Sequence, residues 1–131
     1  MPVKVSSYNG RSNNIRIAQG IYYAADMGAR VINVSFEGDI VSKAIQKAID
    51  FATSRDALVI VASGNRGLDV AEISPAGLSG AVTVAAIGRQ GERRAFPNWG
   101  KQVDIAVAGT PRRVIAGPKT ALGYFAGTAY R

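Results

Sequence analysis

The sequence predicts an α/β domain built on a parallel sheet with helices on both faces. Three observations carry that expectation. Short β-branched runs alternate with segments of helical period over residues 1–65. The run "ALVIVAS" is apolar at nearly every position, as a strand buried on both faces must be. The chain has 131 residues, with no internal repeat and no linker-like tract, so it is expected to form one domain over residues 1–131.

The elements follow in order. "MPVKV" places Val at alternate positions and is expected to be a strand. "SSYNGRSNN" is rich in Ser, Asn and Gly and predicts a loop. In "IRIAQGIYYAADMGA", Ile15, Ala18, Ile21, Tyr22 and Ala25 recur at helical spacing. Asn13 or Asn14 can cap its start, and Gly28 suits the left-handed position after its end. "RVINVSF" predicts a strand and "EGD" a turn. "IVSKAIQKAIDFATSRD" repeats the helical period, and "ALVIVAS" is the next strand. In the second half, "AVTVAAIG" and "KQVDIAVAG" are strand candidates between loops rich in Gly, Pro and Arg.

Composition excludes several chemistries. Cysteine is absent, so there is no disulfide, thiolate metal site or cysteine nucleophile. Histidine is also absent, which removes the usual general base near neutral pH and any histidine-based zinc site. Asp39, Asp69 and Asp104 lack metal-ligand spacing. Neither a P-loop nor a dinucleotide fingerprint is present, so no cofactor is expected. No run of 18 apolar residues occurs, so no membrane partner is expected, and no signal-peptide pattern opens the chain. The net charge is +7, with nine basic and four acidic groups in residues 66–131 against seven and five before them. The basic residues are scattered and no nucleic-acid motif accompanies them. They are expected to form a solvated surface rather than a nucleic-acid site.

In parallel sheets, ligands sit beyond the carboxyl ends of the strands. Three polar loops leave such ends: "SSYNG" after Val5, "SFEGD" after Val34 and "SGNRG" after Ala62. Any one of them alone is equally an ordinary turn.

Taken in order, five segments resemble the subtilisin-like serine proteases. "MPVKV...IAQGIYYAADMGARVINVSFEG" is similar to that family's "MPVKVL...IAQGIYWAADNGADVINMSLGG". "ALVIVASGNRG", "SPAGLSGAVTVAAIG", "RAFPNWGKQVDIAVAG" and "GTAYR" follow where the family has "VVVAAAGNEG", "YPA...VIAVGA", "ASFSNYGKKVDIAAPG" and "GTSMA". The resemblance covers essentially the whole chain and implies a partial subtilisin-like fold acting on peptide or protein substrates.

The resemblance also implies roles. Asn65 matches the asparagine that donates to the oxyanion of the tetrahedral intermediate. Ser35, Phe36, Glu37 and Gly38 match the segment that pairs with substrate backbone and walls the primary specificity pocket. Ala62, Ser63 and Gly64 match the opposite wall. Ser7, Tyr8, Asn9 and Gly10 match a second backbone-pairing segment, and Ser74–Ala76 lie near the pocket floor. "FEG" departs from the family's "LGG": Glu37 is either a carboxylate at the pocket mouth that favours basic side chains or a solvated turn charge. Ala129 stands at the nucleophile's position, and a methyl group cannot attack a carbonyl.

The family's catalytic Asp and His lie upstream of the strand matching "MPVKV", so the chain is expected to be inactive alone. That strand would then lack a neighbour, and three outcomes are open: self-association through the exposed edge at residues 1–5, pairing with another partner, or a shifted second half of the chain. Two alternatives remain: a non-enzymatic basic module that binds a peptide or acidic partner, and one half of a complementing protease.

Overall fold

The computed structural model describes residues 1–88, 90–91 and 96–109, together with the backbone of residues 112–116 and 121–125. The elements are α1 (Asn14–Asp26), β1 (Val31–Val34), α2 (Lys43–Ser54), β2 (Leu58–Ala62), a 3-10 turn (Val70–Glu72), β3 (Ala81–Ile87), β4 (Ile105–Ala108), β5 (Arg112–Ala116) and β6 (Ala121–Phe125). Strands β1 to β4 form one parallel sheet in the order β1-β2-β3-β4. β5 and β6 pair antiparallel as a separate two-stranded sheet. The expected α/β architecture with a parallel sheet is present.

Local chemistry sets the helix ends. The Asn13 side chain accepts from the Arg16 N–H and caps α1. Gly28, at φ +82°, supplies the left-handed residue after its last turn. Ser42 caps α2 from its side chain, and its own N–H donates to Ser74 Oγ. Helix α2 buries Ile45, Ala48, Ile49 and Ala52 completely, at the three- and four-residue spacing of one helical face. That face and the Ile17, Ile21 and Ala24 face of α1 pack against Ile32, Val34, Val59 and Val61 of the sheet. Because β1 and β2 are in register, these four side chains share one face of the sheet. Both long helices therefore cover that same face. On the other, Val31, Leu58, Ile105 and Val107 remain about half exposed.

Two details differ from expectation. Among the described residues the two long helices cover one face of the sheet rather than both, because their apolar stripes all meet the Ile32, Val34, Val59 and Val61 side. Residues 1–5 form no strand. Val3 and Val5 are half-buried against the α1–β1 core, so their alternation does report burial on one side. A strand needs a ladder as well, and no described residue supplies one. A groove of about 390 Å³, lined by Met1, Val3, Val5, α1 and β1, lies between this segment and the sheet. The segment is seated on α1 by Gly20, where a Cβ would overlap the Val5 methyl. That contact explains a glycine inside a helix, where it otherwise costs about 1 kcal/mol relative to alanine.

Candidate substrate-binding site

The site lies at the carboxyl ends of β1 and β2. These strands are parallel neighbours, so their exit loops, Ser35–Asp39 and Ser63–Gly67, emerge side by side. The third polar loop joins them. Ser7 closes a turn with Arg11 through its backbone N–H (2.8 Å) and its hydroxyl (2.8 Å), and Gly10 stands at φ +78°. Asn9 and Gly10 then line one side of a cavity of about 930 Å³, with Ser35, Phe36, Glu37 and Gly38 on the other. Tyr8, almost fully exposed, is not part of that lining, nor is Ser7.

The residues that the family resemblance matches to the pocket walls are held from behind. The Asn33 amide donates to Ser35 Oγ (3.1 Å), and the Gly38 N–H donates to the Ser74 carbonyl (2.8 Å). Ser74 thus ties the β1 exit loop to the start of α2 through two different atoms. Ala62, Ser63, Gly64 and Asn65 are all buried. Asn65 is 8% exposed, and its backbone N–H donates to Glu37 Oε2 (3.0 Å).

Glu37 is neither a free carboxylate at a pocket mouth nor a solvated turn charge. Its side chain is only 5% exposed and receives donors from three directions. These are the Asn65 N–H, the Asn98 amide (3.0 Å) and the Arg66 guanidinium, which also pairs with Asp39. Burial pushes the Glu37 carboxyl up. The hydrogen bonds from Arg66, Asn98 and Asn65, with the charge of Arg66, outweigh burial and hold it below the ordinary carboxylate value. Arg66 is correspondingly raised, first by its bond to Glu37.

Asn98 is the residue that sequence reasoning missed. It is 1% exposed and uses both ends of its amide. Its oxygen accepts from the Arg66 N–H (2.9 Å) and the Leu68 N–H (3.0 Å), and its nitrogen donates to Glu37 and to the Ser63 carbonyl (2.8 Å). It therefore shapes the β2 exit loop on which Ser63, Gly64 and Asn65 sit. The only signal was its place in "FPNWG", inside one of the matching segments. Ala129 lies outside the described residues. Among the described residues no cluster of acidic side chains could hold a metal ion.

The comparisons decide the family. The model of the subtilase family matches residues 1–129. The chain belongs to the subtilase family. It is 34% identical to thermitase of Thermoactinomyces vulgaris over 110 residues, which is 84% of this chain and 39% of thermitase. It is 37% identical to subtilisin BL of Lederbergia lenta over 108 residues, 82% of this chain and 39% of that protein. Among solved structures, a cold-adapted subtilisin-like serine proteinase superposes with a TM-score of 0.82 at 26% identity, covering 95% of this chain and 46% of the other. This subtilase chain thus spans less than half the length of each of these relatives.

Proposed function

We propose that this chain is the substrate-binding part of a subtilisin-like serine endopeptidase and does not hydrolyse peptide bonds by itself. The observation that supports this reading most is the meeting of two loops, Asn9–Asn14 and Ser35–Asp39, on one cavity of about 930 Å³, with the Ser63–Gly67 loop tied to the second through Glu37, in a chain with no histidine and with alanine at position 129. An extended peptide would lie between Asn9–Gly10 and Ser35–Gly38, held by main-chain bonds as an added strand. Asn65 would aim its amide at a developing oxyanion, a contribution of roughly 10²–10³ in turnover where the rest of the machinery is present. Here the chain has no histidine to take a nucleophile's proton, and the Ala129 methyl has none to give.

The test is to replace Ala129 with serine and offer both proteins a chromogenic peptide. Neither is expected to turn it over above the uncatalysed rate. Hydrolysis by Ala129→Ser clearly above background would refute the reading.

The edge open to self-association moves from residues 1–5 to β1. Among the described residues β1 has a ladder on one side only, and Val31 is 61% exposed. In sedimentation, the 13.7 kDa chain is expected to form species larger than a monomer. A sharp monomer that binds no hydrophobic dye would contradict this.

A further inference from the structure

We infer that Glu37 is a plug: it fills the gap between the two pocket walls and restricts the substrate side chain admitted there to glycine or alanine. This rests on the peptide-binding reading above and names its selectivity.

The argument is spatial. The walls are the exit loops of neighbouring strands, and the Glu37 side chain runs from one to the other. A Cβ built on Gly64 would overlap the Asn98 amide nitrogen and stand 2.5 Å from Glu37 Cδ and 2.7 Å from Oε2, so the carboxylate and the amide that holds it already lie on the Gly64 backbone. Gly64 has φ +100°, which itself favours glycine, and its lack of a side chain leaves room for Glu37. The large cavity is consistent with this: its lining includes Ser35–Asp39 but no residue of Ala62–Asn65. A peptide could lie along the first wall, yet its side chain would meet Glu37 before reaching the second.

The plug is also latched. A bulky apolar side chain entering the gap would have to push a buried carboxylate away from three donors, Asn65 N–H, Asn98 and Arg66. A basic side chain gains little there, because Arg66 already neutralises Glu37 from within the chain and Asp39 holds Arg66 from the other side.

The test titrates three capped peptides, acetyl-Ala-Ala-Ala-X-amide with X as Ala, Phe or Lys, into the chain and into Glu37→Gly and Glu37→Gln. Binding is followed by backbone amide shifts, and folding of each variant by its thermal transition. The unmodified chain is expected to bind the Ala peptide at least about 10-fold more tightly than the Phe or Lys peptide. Glu37→Gly should remove the discrimination against Phe, whereas Glu37→Gln, which keeps the volume, should retain it. Equal binding of Ala and Phe peptides to the unmodified chain would overturn the plug while leaving the peptide-binding reading intact. Tightest binding of the Lys peptide, lost in Glu37→Gln, would overturn it too, by showing that Glu37 is an anionic subsite. Binding of no peptide to any of the three proteins would remove the peptide-binding reading and the plug's role with it.

Discussion

Replacing Asn98 with alanine is expected to destabilise the chain by about 3 kcal/mol, the largest single loss anticipated from any residue of the site. The side chain is buried and makes four hydrogen bonds to the β2 exit loop and to Glu37. Its removal leaves the Arg66 and Leu68 N–H groups without that acceptor, and the Ser63 carbonyl and Glu37 without that donor. Each such buried group costs roughly 1–3 kcal/mol if nothing replaces the partner, and water entering the vacated space offsets part of the sum. Against a typical domain stability of about 5–15 kcal/mol, the loss is large. Thermal unfolding should fall by roughly 10 °C. A decrease equivalent to less than about 1 kcal/mol would show that the loop holds its shape without Asn98.

Acid is expected to loosen the same hub through Glu37. Its carboxyl titrates lower in the folded chain than in the unfolded one, where the ordinary value is about 4.3. Between those two values the unfolded state binds more protons, so stability rises with pH across that window. The contribution is fully present above roughly pH 5 and is lost as pH falls through about 4.3 toward the lower folded value. Truncation to Glu37→Ala should cost about 2 kcal/mol at neutral pH. That is less than the usual loss for breaking a buried pair, because Arg66 is one-third exposed and can turn to water. Denaturant unfolding at pH 7 and at pH 3 checks both statements: the difference between the unmodified chain and Glu37→Ala should shrink in acid. A difference that stays constant or grows would contradict the assigned direction.

Local chemistry was legible in the sequence. The Asn13 cap, the Gly28 terminus and the α2 stripe each depend on residues within four positions of one another, and each is where its pattern placed it. The buried run of β2 likewise announced the parallel sheet. "MPVKV" misled because alternating valines record a buried side, which Val3 and Val5 have, whereas a ladder depends on a partner the segment cannot specify. The antiparallel β5–β6 pair was hidden within a stretch whose Gly, Pro and Arg content predicts loops.

The site was legible only in outline. Polar loops after apolar runs mark the strand ends, and the family resemblance orders them. The hub is different, because Glu37 meets Arg66 across 29 residues and Asn98 across 61. No periodicity encodes such a meeting. Glu37 read alone looks like a turn charge, and its burial follows from three donors that fold into place around it.

The central claim, that this chain keeps a peptide groove without a catalyst, is tested most directly by mapping a bound peptide. Backbone amide shifts on adding acetyl-tetra-alanine-amide are expected to concentrate in residues 9–14 and 35–39, which line the cavity. Shifts absent at saturating peptide, or confined to residues far from both segments, would contradict the account.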